Sequence, residues 1–418
     1  MSVLPVSADQ ASAPGSGGST TEYSSAATAS KGPRPLTVLQ VVPRLETGGV
    51  ERTTLEITEA IQSAGGRALI ATAGGQLEYR IARVGGQVFR MNVASKNPLT
   101  LWQNARLLKR LIDEEGVDIV HARSRAPAWS AFWATRATRT PFVTTYHGTY
   151  NEDLPLKRFY NSVMVKGRPV IANSEFIHRH ILERYKMPPD QIVTIPRGAD
   201  IAIFAEERVG NERTIKLAER WGIIEDPRAI VLMPGRLTRW KGGESLIDAA
   251  AKLKKMRPAD FSIVFVGEDE GSGFQQTLEK RIDATGTGDV IQLAGATQDM
   301  AAAYKLASVV LSTSIEPEAF GRVVVEAQAM GRPVIATAHG GASETVLHGE
   351  SGWLYEPGDS DALASTIHQA LEMDPSDRAH MGLAGRARVH STYTVTAMQR
   401  ATLDVYERVA GRTFQALV

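Results

Sequence analysis

The sequence predicts an α/β protein with two doubly wound domains that face a central cleft. The chain has 418 residues, more than one compact core usually holds. From Leu36 onward, short β-branched runs alternate with longer segments of helical periodicity, the pattern of βαβ units around a parallel sheet. This alternation loosens between residues 197 and 214 and then starts again, which places the link between the two domains in that segment.

Seven strands are predicted in the first domain, which we expect to span residues 36–205. The segments between them carry apolar residues at i, i+3 and i+4, as in "LWQNARLLKRLIDEEG" at 101–116, which indicates amphipathic helices. The strands are short runs of Val, Ile and other strand-favouring residues, and they cover residues 36–42, 67–73, 87–93, 117–122, 141–147, 168–174 and 191–196.

Five further strands are predicted in the second domain, which we expect at 206–385. The last segment, residues 386–418, has a helical pattern, and we expect it to pack back on the first domain. Ligands of such sheets bind beyond the carboxyl ends of the strands, so residues that follow a strand are the candidates for a site. The strands of this domain cover residues 229–235, 261–267, 289–295, 308–314 and 332–338.

Composition excludes several classes of protein. Cysteine is absent, which rules out disulfides, a thiolate nucleophile and a Cys-ligated metal. The formal charge of +1 gives no indication of a nucleic-acid partner. Residues 1–35 are rich in Ser, Ala and Gly and are expected to be a disordered tail, without the apolar block of a signal peptide. No apolar run approaches the roughly 18 residues of a membrane span, so we expect a cytoplasmic protein, at most peripheral at the inner face of the membrane.

The stretch "STSIEPEAFGRVVVEAQAMGRPVIATAHGG", residues 312–341, is predicted to form strand, loop, helix and strand. Gly321 at the helix start leaves room for a ligand beside the backbone, and the N–H groups of residues 320–323 suit a phosphate. Glu318 precedes the helix, whereas Glu326 lies more than a turn inside it. The two carboxylates are therefore placed to grip two parts of one elongated ligand.

Two cations in "GRLTRWKG", Arg236 and Lys241, follow a predicted strand. Arginine offers a planar fork and lysine a point charge, so the two could clamp a diphosphate. Solvated loop cations are the alternative. The acidic run "GEDEG" at 267–271 could be taken for a metal site, but a solvated loop cluster is the preferred interpretation.

Glu318 and Glu326, with seven residues between them, resemble the signature of family 4, the large family of retaining glycosyltransferases with the GT-B fold. The resemblance covers the chain from Leu36 onward and implies two Rossmann-like domains, with a nucleotide sugar as co-substrate. Further motifs come in the family's order: "RLETGGVERTTLEI" (44–57), "TTYHGTY" (144–150), "IANSEF" (171–176) and "GRLTRWKG" (235–242).

The resemblance assigns roles to the candidate residues of the second domain. It implies that Arg236 and Lys241 hold the donor diphosphate. It also implies that Glu318 accepts hydrogen bonds from the donor sugar, while Glu326 binds the ribose. The backbone that it implies for phosphate contact comprises Phe320, Gly321, Arg322 and Val323.

In the first domain, the resemblance implies that Gly49 approaches the donor phosphates and that His147 contacts the donor sugar near the reacting centre. A plain tight turn is the alternative for the glycine, and a structural role is the alternative for the histidine. Arg197 departs from the family, because members commonly have Asn at this position of "IPRGAD". Three residues around the end of the fourth strand are interpreted as acceptor-side surface: His121, Arg123 and Arg125.

The segment "APAWSAFWATRATRT", residues 126–140, places Trp129 and Trp133 four residues apart on a predicted helix. Such a cluster is commonly a buried helix face. The alternative is an amphipathic surface that meets a lipid-linked acceptor or anionic headgroups.

The function predicted from the sequence is retaining transfer of a hexose from a nucleoside diphosphate sugar to a hydroxyl of a glycan or lipid-linked acceptor. Lipopolysaccharide or exopolysaccharide biosynthesis is the expected setting, and neither a metal nor another cofactor is expected. Two alternatives stay open: a GT-B-fold epimerase of nucleotide sugars, and a protein that binds a nucleotide sugar without turnover. A dehydrogenase is disfavoured because no G-x-G-x-x-G follows the first strand.

Overall fold

The computed structural model describes residues 34–46 and 48–415. The predicted disordered tail, residues 1–35, lies outside the described residues except for its last two. Contacts group the chain into two units. Unit 1 comprises Met1–Thr145, Phe159–Pro169 and Thr402–Val418, and unit 2 comprises Tyr146–Arg158 and Val170–Ala401. The domain boundaries predicted after residues 205 and 385 stay a prediction.

The first part of the chain alternates strands and helices as the pattern predicts. Asn97 shows how local sequence sets the bounds, because its side chain accepts hydrogen bonds from the N–H groups at the start of the third helix, which ends at left-handed Gly116. The elements are β1 (Thr37–Val41), α1 (Gly49–Ser63), β2 (Arg67–Thr72), α2 (Glu78–Arg83), β3 (Gln87–Arg90), α3 (Pro98–Glu115), β4 (Ile119–Ala122), α4 (Arg125–Thr138) and β5 (Phe142–Tyr146).

The strands of this part form a parallel arrangement in the order β3-β2-β1-β4-β5. Nearly every residue of β1, β2, β4 and β5 is buried, as expected for a parallel sheet covered by helices on both faces. The order reverses at β1 and β4, so the carboxyl ends of these two strands lie at the edge where such sheets bind ligands.

The middle of the chain contains α5 (Pro155–Asn161), β6 (Val170–Ala172), α6 (Glu175–Tyr185) and β7 (Ile192–Thr194). In unit 2, β6 and β7 pair in parallel. The loosened segment at 197–214 has little regular structure, except for a short 3₁₀ turn at Glu206–Arg208 and the start of α7 (Asn211–Trp221).

The second parallel sheet of six strands, in the order β10-β9-β8-β11-β12-β13, lies in unit 2. Two buried clusters of aliphatic and aromatic side chains form the core around it. Its elements are β8 (Ala229–Pro234), α8 (Gly243–Met256), β9 (Phe261–Val266), α9 (Phe274–Thr285), β10 (Ile291–Leu293), α10 (Met300–Leu306), β11 (Val309–Ser312), α11 (Arg322–Ala329), β12 (Val334–Thr337), α12 (Ala342–Thr345) and β13 (Gly352–Tyr355).

Three helices complete the described chain: α13 (Ser360–Glu372), α14 (Pro375–Thr392) and α15 (Val395–Ala410). They confirm the helical pattern of the last segment. Every predicted strand is present, each somewhat shorter than predicted, whereas β13 was not predicted. Two parallel sheets with flanking helices confirm the predicted α/β, GT-B class of fold. Among the described residues, no helix is both long and apolar enough to span a bilayer.

Candidate active site

The loop between β11 and α11 places Glu318 beside the start of a helix. Gly321 takes the left-handed conformation, with φ of 84°, and α11 begins at the next residue. The first N–H groups of a helix lack a carbonyl partner one turn earlier, and the helix dipole adds a partial positive charge there. The sequence thus builds an anion-attracting helix start directly after Glu318.

Lys241 lies against Glu318, with its Nζ 2.6 Å from Oε1. The Ser314 hydroxyl also donates a hydrogen bond to Glu318. The side chains of Lys241 and Glu318 keep 14% and 17% of their surface exposed, so they form a nearly enclosed ion pair that solvent still reaches. A lysine ammonium has three donors, so Lys241 can hold Glu318 and still donate to a second anion.

The ion pair determines the protonation state of Glu318. Burial would raise the pKa of Glu318, but the charge and hydrogen bond of Lys241, with help from Ser314 and His339, outweigh burial and hold the pKa below its usual value. Glu318 is therefore a carboxylate at neutral pH. As a carboxylate it can only accept hydrogen bonds, which suits contact with hydroxyl donors.

Two strand-end loops are tied together to form this ion pair. Lys241 closes a short 3₁₀ turn at Arg239–Lys241 after β8. The Thr313 hydroxyl donates to the Lys241 carbonyl at 2.8 Å, and the Ile315 N–H donates to the Trp240 carbonyl at 2.8 Å. The backbones approach so closely that a Cβ on Gly242, where φ is 75°, would lie 2.0 Å from the Thr313 carbonyl oxygen. Glycine is required at this position.

A third loop, after β12, supports Glu318 from the other side and was not predicted as part of the site. The Gly341 N–H donates to the Glu318 carbonyl at 2.8 Å, and His339 Nε2 donates to the Ser314 carbonyl at 2.8 Å. Gly340 has a φ of 63°, and a Cβ there would lie 2.4 Å from the Glu318 carbonyl oxygen. The "HGG" of residues 339–341 is the sequence signal that could have indicated this contact.

Arg236, the other predicted phosphate cation, is more exposed than Lys241. Its Nη1 lies 3.2 Å from Glu270 Oε2, and both side chains expose more than half of their surface. The side chain of Lys241 passes close to Gly235, next to Arg236 in the chain. Exposed ion pairs contribute little to stability, so Arg236 can leave Glu270 for another anion at small cost.

Glu326 is 6% exposed and accepts a hydrogen bond from the Tyr304 hydroxyl at 3.2 Å. Glu326 is therefore a buried, hydrogen-bonded carboxylate rather than an exposed one on the helix surface. Phe320 is 3% exposed, and its ring packs 5.8 Å from that of Tyr393. The side chain of Phe320 is therefore part of the core, and contact of its backbone with a phosphate stays a prediction.

His147 follows β5 and contacts Arg197, with 2.6 Å between His147 Nδ1 and Arg197 Nη2. A guanidinium can only donate hydrogen bonds, so Nδ1 of His147 must accept. His147 is therefore a neutral imidazole with its proton on Nε2. Arg197, which departs from the family pattern, is 7% exposed and fixes this tautomer.

Comparison with known proteins places the chain in a family. The profile described as Glycosyltransferase Family 4 matches residues 47–203, and the profile described as Glycosyl transferases group 1 matches residues 216–388. A crystal structure of a glycosyltransferase from Rickettsia africae is 38% identical and superposes with a TM-score of 0.82, covering 90% of this chain and 98% of that one. The chain belongs to glycosyltransferase family 4.

Curated relatives match over a shorter segment. D-inositol 3-phosphate glycosyltransferase of Pseudarthrobacter chlorophenolicus is 34% identical over 254 residues, 60% of this chain and 58% of the relative. This chain thus spans little more than half the length of that relative. The GDP-mannose-dependent alpha-(1-6)-phosphatidylinositol monomannoside mannosyltransferase of Mycolicibacterium smegmatis is 29% identical, over 68% of this chain and 74% of the relative.

Two of the three residues interpreted as acceptor-side surface of this family 4 protein are buried. His121 is 0% and Arg123 is 1% exposed, so the expectation of a surface position is wrong for both. His121 hydrogen-bonds Tyr406 at 2.6 Å and Thr145 at 2.7 Å. Arg125 is half-buried and donates to an asparagine amide. A contact of these residues with an acceptor stays a prediction.

Arg123 and Tyr406 belong to the same buried polar cluster. Arg123 Nε donates to the Gln40 amide oxygen at 2.7 Å. Burial lowers the pKa of Arg123 and raises the pKa of Tyr406 to about 12, the latter against the opposing charge of Arg123. Buried polar groups need such partners. No local sequence pattern indicates Tyr406, which comes from α15.

Gly49 and the two tryptophans of α4 are further residues that the sequence analysis named. Gly49 is the first residue of α1, and among the described residues none, apart from its neighbours in the chain, has an atom within 4 Å of a Cβ added there. On α4, Trp129 is 7% and Trp133 is 40% exposed. The helix α4 is therefore neither wholly buried nor wholly at the surface.

Proposed function

We propose that this protein transfers a hexose from a nucleoside diphosphate sugar to an acceptor hydroxyl. The observation that carries the proposal is the ion pair of Lys241 and Glu318 at the start of α11, where one cation and one carboxylate lie side by side. A nucleotide sugar needs both at neighbouring points: a cation for the diphosphate and an acceptor for the sugar hydroxyls. Membership in family 4 supports the same assignment.

In the proposed reaction, the bond between the anomeric carbon and the diphosphate oxygen breaks, and a new bond forms from that carbon to the acceptor oxygen. The acceptor's proton goes to the departing diphosphate. Negative charge grows on this leaving group, and Lys241, Arg236 and the N–H groups of residues 320–323 would stabilise it by fixed electrostatics. These cations would offset the charge without a metal ion, and no other cofactor is proposed.

The remaining residues would position the donor. Glu318, held ionised by Lys241, would accept from the sugar hydroxyls, and Glu326 would accept from the ribose. His147 would donate its Nε2–H to the sugar, the role that the tautomer fixed by Arg197 supports. Retention at the anomeric carbon is part of the proposal and follows from the resemblance to the family.

The acceptor is proposed to be a glycan or a lipid-linked glycan, in lipopolysaccharide or exopolysaccharide assembly. The names of the curated relatives favour a second class, an inositol phosphate or a mannosylated phosphatidylinositol. Either acceptor fits a cytoplasmic enzyme that works at the inner face of the membrane, which we propose as its location.

A panel of nucleotide sugars tests the proposal by thermal shift. A donor that binds only the folded state stabilises it and raises the melting temperature. At a hundredfold excess over Kd, the free energy of unfolding increases by about 2.7 kcal/mol. We expect one or a few of UDP, GDP, ADP and dTDP sugars to do so. No stabilisation by any donor would contradict the proposal.

Product release separates the enzyme from its alternatives. A transferase releases nucleoside diphosphate faster when an acceptor such as inositol 3-phosphate or a glycan primer is added. A nucleotide-sugar epimerase would convert the donor without an acceptor, and a binding protein would leave it intact.

A further inference from the structure

A cationic pocket lies in unit 1, apart from the strand ends that carry the candidate site. It has a volume of about 500 Å³, and the described residues that line it include four cations and no carboxylate. Lys166 and the aromatic ring of Phe132 line it together, with Nζ 5.4 Å from the ring centroid. The other three cations are Arg136, Arg139 and Arg168.

The position of the pocket separates it from a substrate site. Pro141 and Phe142, which line it, lie at the amino end of β5. Ligands of parallel sheets bind at the opposite edge, beyond the carboxyl ends of the strands. The pocket therefore has no place in the transfer reaction proposed above.

An external anion would compete with few internal contacts of the four cations. Arg168 Nη1 donates to the carbonyl oxygens of Val165 and Gly167, at 3.2 and 2.8 Å, and a guanidinium has further donors. Within the described part of the chain, none of them forms an ion pair with a carboxylate. Arg136 and Arg139 come from the end of α4, where cations also suit the helix dipole. That explanation does not cover Lys166 and Arg168, which come from a separate segment. Two separate segments thus bring cations to one pocket. This arrangement suits an anion with several oxygens, such as a phosphate.

Exposed aromatic rings lie on α4, which also lines the pocket, and on the neighbouring helix α5. Trp133 is 40% exposed and lies three residues before Arg136 on α4, hence on the same face. The ring of Trp129 joins Trp133, at 5.8 Å, to Phe159, at 5.2 Å, and Phe159 is 62% exposed. Amphipathic aromatic rings beside cations are the residues that bind the interface of an anionic bilayer.

We propose that this surface docks the protein on an anionic phospholipid bilayer, with the cationic pocket holding a lipid phosphate headgroup and Trp133 and Phe159 entering the interface. A soluble phosphate would use the pocket alone and leave the exposed rings without a role. The inference is independent of the proposed reaction, because docking needs neither donor nor acceptor.

Vesicle sedimentation with the full chain tests the proposal. We expect binding to vesicles of phosphatidylcholine with phosphatidylglycerol and little binding to phosphatidylcholine alone. Each cation near an anionic surface contributes about 1 kcal/mol, so the triple variant R136Q/R139Q/R168Q should bind on the order of 100-fold more weakly. Equal binding of the wild type to both kinds of vesicle would overturn the proposal.

A charge-matched control separates the pocket from general attraction. The variant R220Q/K255Q/K280Q removes the same charge from exposed positions of unit 2, and we expect it to bind as the wild type does. All six positions lie at the surface, and thermal melting would check that both variants are folded. Equal losses in the two variants would overturn the assignment of the pocket.

Two further readouts distinguish the source of the phosphate. Fluorescence quenching by brominated phosphatidylglycerol should decrease in W133Q, because Trp133 would enter the bilayer. Calorimetric titration with inorganic phosphate should show weak binding at most. Tight phosphate binding that the triple variant abolishes, without any binding to vesicles, would make the pocket a soluble-anion site and overturn the proposal.

Discussion

Two polar clusters of this protein are both built around residues at the ends of strands, but one is buried and the other is partly exposed. The buried cluster of unit 1 comprises Gln40, His121, Arg123, Thr145 and Tyr406. The strand-end cluster of unit 2 comprises Lys241, Ser314, Glu318 and His339.

Both clusters place charged or ring side chains at the carboxyl ends of parallel strands. In unit 1, Tyr406 of α15 contacts His121 of β4, and both His121 and Arg123 are buried. In unit 2, the Lys241–Glu318 ion pair keeps part of its surface exposed, next to a helix start. A polar residue after a strand thus indicates a ligand site only where no other element covers it.

The largest expected effect comes from disrupting the strand-end cluster of unit 2. Replacing Lys241 by alanine removes a cation from the leaving group, and turnover should fall by about 100- to 1,000-fold, as when one donor to a developing anion is lost. Acceptor-dependent release of nucleoside diphosphate measures it. K254A, which removes another ion-paired lysine of unit 2, should keep turnover. Near-normal turnover in K241A would contradict the assignment.

The next effect concerns the charge of Glu318. E318Q leaves Lys241 without its carboxylate in a nearly enclosed place, so the free energy of unfolding should fall by about 1–3 kcal/mol at neutral pH. The folded-state pKa of Glu318 lies below the ordinary value of 4.5. Its contribution is therefore complete above that value and is lost as pH falls through the folded-state pKa.

Urea unfolding at several pH values measures the difference between the wild type and E318Q. The difference should shrink in acid, and one that does not change with pH would exclude the ion pair as its cause. E316Q is a matched control in the same loop, because Glu316 is exposed, and it should change stability little at any pH.

A comparable loss of stability without loss of function is expected in the unit 1 cluster. Y406F removes the hydroxyl that His121 Nδ1 contacts at 2.6 Å, at a cost of about 1–3 kcal/mol. The nucleotide-sugar affinity should stay unchanged. Y79F, at a tyrosine that is 68% exposed, should change neither quantity. A large loss of donor affinity in Y406F would refute the structural role of this cluster.

The smallest expected effect concerns Arg197 and sharpens the role of His147. R197M removes the donor to Nδ1, so the His147 ring should populate a second tautomer and turnover should fall several-fold. Nitrogen-15 chemical shifts of the imidazole report the tautomer directly. R197K keeps a donor and should restore part of the His147 tautomer preference and part of the turnover. Unchanged ring shifts in R197M would show that Arg197 does not fix the proton.

The strand positions could be predicted from the sequence, because they depend on local periodicity. The position of Arg236 and Lys241 just after β8 follows from the same prediction. The strand β13, "GWLY", was missed because it is short and lacks β-branched residues. The pairing of Lys241 with Glu318 could not be predicted, since it depends on close backbone approach at Gly242 and Gly340. Burial of His121 depends on Tyr406, 285 residues away in the chain, which no local pattern reveals.

The central claim is that the Lys241–Glu318 ion pair lies in the donor-phosphate site. The most direct test is the melting temperature of the wild type, K241A and K254A with and without a saturating nucleoside diphosphate, chosen as the one that stabilises the wild type most. We predict an equal rise for the wild type and K254A and little rise for K241A. A rise in K241A equal to that of the wild type would contradict the claim.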